Sequence, residues 1–389
     1  MALSRFMSGE PGTQVSEPRV SASERYMSEL LSEADITVGG HRPWDIRLLR
    51  PGVADRAFAY GNLGLGESYM DGDWECDRLD EFFHRLLRAG LQHKVSPTRV
   101  LLHTLKARLL NRQNQRRAWQ VGEQHYDLGN DFYAAMLDPR MTYTCGYWRE
   151  AETLDQAQEA KLDLICRKLR LEPGMRVLDI GCGWGSFMGY AAEHYGVECV
   201  GVTVSREQAA WAQERYAGLP LEFRLQDYRE VEGQFDRVIS VGMFEHVGRK
   251  NYRTYMEVAH RCLKDGGLFL LHTIGSNDPS PGSDPWMDRY IFPNGELPTL
   301  TGLSRAVERQ FIVEDLHNFG ADYDRTLMAW HGNFKTAWPG FRERLGDRFY
   351  RMWSYYLLSC AGAFRARDIQ LWQWVLSKGG VPGGYRRES

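Results

Sequence analysis

Hydrophobic and polar positions follow two rhythms along the chain. From about Val121 onward, short continuous apolar runs alternate with segments of helical spacing such as REQAAWAQERY (206–216). The runs are MRVLDIG (175–181), VECVGVT (197–203), FDRVISVG (235–242) and GLFLLHTI (267–274). Apolar runs of this length read as strands buried on both faces. Their alternation with helices predicts an α/β fold, a parallel sheet with helices on both faces. Upstream, Ser23 to about Gly90 mixes helical and short-strand patterns broken by GNLGLGESYMDGDW (61–74), which reads as a small α+β domain. Ser96 and Pro97 then open SPTRVLLHTLKARLLNR (96–112) with a helix-start signal, and Leu101, Leu102, Leu105 and Leu109 share one stripe of it. Residues 1–20 are small, polar and Gly/Pro-containing, the composition of a disordered tail. The expected division is a tail at 1–20, a small domain at 21–92, a basic helical linker at 93–120 and a large domain at 121–389.

Charge changes this picture in one place. The chain of 389 residues is nearly balanced at −3, which gives no global field for nucleic acid. Residues 82–122, however, hold no acidic residue against nine Lys and Arg. A basic border on an apolar stripe suits an anionic membrane surface; it equally suits a domain-linking helix with a solvated face. The first residues hold no apolar leader, and no window reaches the roughly 18 apolar residues of a membrane span. The seven cysteines are scattered and form no CxxC pair, so neither a disulfide framework nor a zinc site is expected, and no metal at all.

The candidate chemistry starts at MTYTCGYW (141–148), where Cys145 sits among Tyr143, Tyr147 and Trp148. Such a thiol could be a nucleophile, a ligand, a packed core residue or part of an aromatic box for a cation. VLDIGCGWG (177–185) is more specific. An apolar strand ends at Gly181, Gly183 and Gly185, which let the backbone turn sharply and approach a ligand at a helix N-terminus. A dinucleotide fingerprint would place a glycine at 186, where the chain has Ser. With Asp179 ahead of it, the turn instead resembles motif I of the class I S-adenosylmethionine (SAM) methyltransferases. In that resemblance the next strand ends beside the ribose at Thr203, with no carboxylate at its tip, so Thr203 and Gln208 supply the hydroxyl contacts. Gln226, Asp227 and Tyr228 of LQDYRE face the adenine.

Further motifs occur in order: HYDLGNDFY (125–133), GVTVSREQ (201–208), VGMFEHVG (241–248), LLHTIG (270–275), FGADY (319–323) and CAGAFRARDIQLWQW (360–374). With MTYTCGYW and VLDIGCGWG they resemble the cyclopropane-fatty-acyl-phospholipid synthases over nearly the whole chain, and GNLGLGESYMDGDWECDRLD (61–80) is typical of the longer bacterial forms. The resemblance implies a Rossmann-like methyltransferase sheet, SAM as methyl donor, and conversion of a cis double bond in an unsaturated phospholipid to a cyclopropane. Such chemistry needs an apolar tunnel without water, aromatic faces to stabilise a carbocation, and one base. The resemblance makes that base a bicarbonate or carbonate ion caged by Cys145, Glu245, His272, the Ile274 main chain and Tyr323. It places Tyr143 and Thr144 at the methionine end of SAM. Cys360 is a secondary catalytic candidate, with packing near the acyl tunnel preferred. A cytoplasmic protein on the inner membrane face and a homodimer are implied by analogy. A fatty-acyl C-methyltransferase and a catalytically inactive lipid-binding homologue are the competing readings.

Overall fold

The computed structural model describes residues 20–94, 128–278 and 283–388. The expected tail (1–20) and basic linker (93–120) lie outside them, but for Val20 and residues 93 and 94. The N-terminal part comprises helices α1 (Ala22–Ser32), α2 (Val53–Tyr60), α3 (Asn62–Met70), α4 (Leu79–Arg88) and α5 (Leu91–Lys94), with a short antiparallel ribbon of β1 (Arg47–Leu48) and β2 (Trp74–Glu75). Helix α1 starts where it does because Ser21 and Glu24 form a reciprocal capping box.

The larger part is built on a seven-stranded sheet of β3 (Arg176–Ile180), β4 (Glu198–Thr203), β5 (Leu221–Leu225), β6 (Phe235–Val241), β7 (Leu263–Ser276), β8 (Ile312–Asn318) and β9 (Ile369–Ser377). The strand order is β5-β4-β3-β6-β7-β9-β8. Pairing is parallel from β5 to β7, and β9 runs antiparallel to both its neighbours. The four apolar runs in the sequence are β3, β4, β6 and β7, and the fold is the α/β class expected. The antiparallel end, β8 and β9, is not part of the sequence-based expectation.

Helices α6 (Asn130–Met136), α7 (Leu154–Lys168), α8 (Ser186–Tyr195), α9 (Arg206–Arg215), α10 (Tyr252–Cys262), α11 (Pro285–Tyr290) and α12 (Leu300–Val307) connect and cover these strands. Two longer helices, α13 (Ala321–Ala337) and α14 (Arg342–Ala366), stand over the carboxyl-end side of the sheet, and α14 is kinked at Gly346. Helix α4 lies directly on α14. At the crossing, a Cβ on Gly362 would come within 2.6 Å of the Asp80 carbonyl and 2.7 Å of Phe83 Cβ, so only glycine permits this approach. Arg365 clamps the crossing, donating to Asp80 Oδ2 at 2.8 Å and to both Asp324 oxygens at 2.8 and 2.9 Å. One continuous apolar cluster therefore runs from Met27 and Phe82 through Tyr355 and Phe364 to Tyr323.

Candidate active site

Parallel sheets place their sites at the carboxyl ends of the strands. Here that edge opens into one cavity of about 1340 Å³. At one end it meets the glycine turn. Gly181, Gly183 and Gly185 all have positive φ, at 88°, 54° and 77°. A Cβ on Gly181 would strike Met243 at 2.6 Å, whereas beside Gly183 there is open space. That is the bare backbone cradle a nucleotide-type cofactor requires. Asp179, three per cent exposed, borders the same space, and burial pushes its carboxyl up to about 7 against the pull of Lys161. Thr203 lies at the β4 tip, donating to Gln208 Oε1 at 3.4 Å. Gln226, Asp227 and Tyr228 line the next wall. Asp227 is half committed, because its Oδ1 caps the Arg229 amide at 2.9 Å.

The stretch around Cys145 divides between cavity and core. Tyr143 and Thr144 line the cavity. The Tyr143 hydroxyl donates to that of Tyr356 at 3.0 Å, and Thr144 Oγ1 accepts from the buried Lys161 amine at 2.9 Å. Cys145 is fully buried, is not among the lining residues, and donates its thiol to the Gly146 carbonyl at 3.2 Å. Burial pushes that thiol well above its ordinary range, so it is no thiolate nucleophile. Trp148 is likewise engaged: its indole donates to Thr326 Oγ1 at 2.9 Å and Arg325 lies 4.4 Å over its ring. Tyr143, Tyr133, Tyr323, Tyr356, Phe292 and Phe364 are among the rings that line the cavity, and Tyr147 and Trp148 are not.

Glu245 follows β6 in a short 3-10 turn, and His272 and Ile274 share one face of β7. Glu245 Oε1 accepts from the Ile274 amide at 2.7 Å, so that N–H holds the carboxylate and is engaged by it. Glu245 Oε2 is buried with no partner in the protein, and so is His272 Nε2. Burial raises the Glu245 carboxyl to about 7, although hydrogen bonds from Ile274 and its neighbours oppose this. Burial, with Lys161 and Lys168 nearby, pushes the His272 imidazole well below its ordinary value and keeps it neutral. Tyr323, on the first turn of α13, feels both Cys145 and Glu245 electrostatically, and burial raises its phenol far above the usual range. Glu245 and Ile274 line the cavity, whereas His272, like Cys145, is not among its lining residues.

Cys360 lines the cavity from α14 and its thiol is pushed up to about 12 by burial. Beyond it the walls are apolar and reach the N-terminal helices at Met27, Leu30, Phe58, Phe82 and Leu86. Sequence reasoning missed Trp184, whose indole donates to Asn130 Oδ1 at 2.9 Å, although both lie inside recognised motifs. It also missed Lys161 and Tyr356, for which helical spacing gave no signal.

Comparison with known proteins agrees with this geometry. Residues 113–374 match the family described as mycolic acid cyclopropane synthetase. The chain is 56% identical over 363 residues to a cyclopropane-fatty-acyl-phospholipid synthase of Escherichia coli K12, covering 93% of this chain and 95% of that one. The structure of the cyclopropane synthase MmaA2 from Mycobacterium tuberculosis superposes with a TM-score of 0.62 at 32% identity, covering 67% of this chain and 98% of that one. The mycolic acid cyclopropane synthase CmaA1, complexed with SAH and CTAB, gives the same TM-score, identity and coverage. The glycine turn and these matches together identify the chain as a member of the cyclopropane synthase family of SAM-dependent methyltransferases.

Proposed function

We propose that the protein is a cyclopropane-fatty-acyl-phospholipid synthase acting on a cis double bond of an unsaturated phospholipid, with SAM as donor and bicarbonate as base. The observation that carries this reading is Glu245 at the cavity wall, one carboxyl oxygen held by the Ile274 amide and the other buried without a hydrogen-bond partner in the protein. Bound SAM supplies an electrophilic sulfonium methyl. Gly181, Gly183 and Gly185 would hold it by close backbone approach, Thr203 and Gln208 would meet its ribose, and Gln226, Asp227 and Tyr228 its adenine. Tyr143 and Thr144 border its methionine end.

An isolated alkene is a weak nucleophile, and once methylated it becomes a carbocation that any water would trap. The chain answers with apolar walls that exclude water and with the ring faces of Tyr143, Tyr323, Tyr356 and Phe364. A bound bicarbonate would supply the base for the deprotonation that closes the ring. Glu245, with its carboxyl near 7, shares a proton with that anion instead of repelling it, while neutral His272 donates from Nε2 and Tyr323 from its hydroxyl. Cys360 borders the acyl chain as a protonated thiol.

The acyl chain lies along the apolar arm that reaches the N-terminal helices. Delivery takes place at the inner face of the membrane, with the protein cytoplasmic and peripheral; no helix among the described residues is long and apolar enough to cross a membrane. A homodimer and a division into N-terminal and catalytic domains belong to the same reading. The test incubates the protein with SAM and unsaturated phospholipid vesicles and reads the acyl products. A gain of one methylene with loss of the double bond supports the synthase. The same gain with an alkene retained supports a methyltransferase, and no SAM consumption supports an inactive lipid binder.

A further inference from the structure

Behind His272 stands a second layer of polar groups that no step above uses. Gln373 is directly opposite His272 in the β7–β9 ladder and wholly buried. Its Nε2 lies 3.2 Å from His272 Nδ1, and its Oε1 accepts from Lys168 Nζ at 2.9 Å. Lys168, the last residue of α7, is wholly buried too. Its amine also lies 3.0 Å from His317 Nδ1 and 3.8 Å from Asp315 Oδ2. The end of the chain covers this layer: Arg387 donates to Asp315 Oδ1 at 2.7 Å, and the Tyr385 hydroxyl to the Lys168 carbonyl at 3.0 Å.

A lysine is among the last residues to be buried for packing, since an apolar side chain of similar volume fills the space without desolvating a charge. What an ammonium offers instead is direction. It has donors and no acceptor. It therefore takes the oxygen end of the Gln373 amide and turns the NH2 end toward His272. The NH2 group is also donor-only, so the nitrogen it meets, Nδ1, carries no proton. A neutral imidazole with a bare Nδ1 bears its proton on Nε2, and Nε2 is the His272 atom with no partner in the protein.

We propose that Lys168 and Gln373 are positioning residues that fix the tautomer of His272, so that its free Nε2–H points a donor at the oxyanion beside Glu245. The identity of that acceptor rests on the proposed function; the place of the proton does not. Ligating and catalytic imidazoles are commonly set by such a partner on the second nitrogen.

The test uses the full chain labelled with ¹⁵N-histidine and two-bond ¹H–¹⁵N correlation spectra, with the His272 signals identified by their loss in His272→Asn. The wild type is expected to show a protonated Nε2 and a bare Nδ1. Gln373→Glu places an acceptor-only carboxylate opposite Nδ1, with Lys168 as its counter-ion. The proton should move to Nδ1, and kcat should fall about tenfold or more with KM for SAM unchanged. Lys168→Met, which suits a buried site should the carboxylate variant fail to fold, frees the amide to rotate; signals of both tautomers and a similar loss of kcat are expected. A wild-type proton on Nδ1, an unmoved tautomer in Gln373→Glu, or a moved tautomer with full kcat would each overturn the proposal. A tautomer that moves as expected in an enzyme whose turnover ignores bicarbonate keeps the positioning role and removes the oxyanion.

Discussion

Glu245 is held by the Ile274 amide at 2.7 Å, and its other oxygen is buried without a hydrogen-bond partner in the protein. Burial has raised its carboxyl from 4.5 to about 7. A group whose folded pKa is raised favours the folded state while protonated. Its stability contribution is full below the unfolded value of 4.5 and is lost as pH rises through about 7. Glu245→Gln is neutral throughout. In bicarbonate-free buffer it should match the wild type below about pH 5 and exceed it above about pH 8, by up to roughly 3 kcal/mol in urea unfolding. Its turnover should fall by at least about a hundredfold, because no carboxyl remains to share the proton.

Gly181→Ala tests the cofactor cradle. Its φ of 88° disfavours any side chain, and the new methyl would lie 2.6 Å from Met243 Cγ. Calorimetry should find SAM affinity weakened by about tenfold or more, with the fold retained at a cost of roughly 1–2 kcal/mol.

Cys360→Ser separates chemistry from packing. A thiol held near 12 is no nucleophile at neutral pH. Steady-state assays should give a kcat within about threefold of wild type, and a complete loss would return the thiol to the mechanism.

Arg365→Ala should undock α4 from α14. It leaves Asp80, one per cent exposed, with Arg78 as its remaining ion-pair partner, and strips both oxygens of Asp324. A loss of about 2–3 kcal/mol is expected in denaturant unfolding. Arg365→Lys should recover part of it, since the charge stays and the two-pronged contact goes.

Reversing Arg108, Arg112 and Arg116 to Glu addresses the acid-free stretch, which lies outside the described residues. Cosedimentation with anionic vesicles should drop, each charge being worth about 1 kcal/mol near such a surface. Unchanged binding would assign the stretch to linking alone.

Much of this was legible in the chain. The central strands announced themselves as MRVLDIG, VECVGVT, FDRVISVG and GLFLLHTI because a parallel strand buried on both faces has no polar alternation to confuse it. Strand β9, IQLWQWVLS, carries no such continuous apolar signal. Gln370 and Gln373 interrupt it, and their partners lie far along the chain, Asn318 for Gln370, and Lys168 and His272 for Gln373. Lys168 was invisible for the same reason: a lysine near a helix C-terminus ordinarily complements the dipole in solvent, and only distant β8, β9 and Tyr385 enclose this one. The aromatic stretch around Cys145 misled in part. Its rings are spaced to surround the thiol, yet Arg325 and Thr326, from distant α13, claim Trp148 and leave Tyr143 to face the cavity.

The most direct measurement is turnover against bicarbonate in rigorously CO2-free buffer, with SAM and unsaturated phospholipid vesicles. The wild type should stall and recover saturably as bicarbonate is restored, and His272→Asn should need a far higher concentration for half recovery. Full turnover without bicarbonate, or recovery that ignores His272, would contradict a trapped oxyanion beside Glu245.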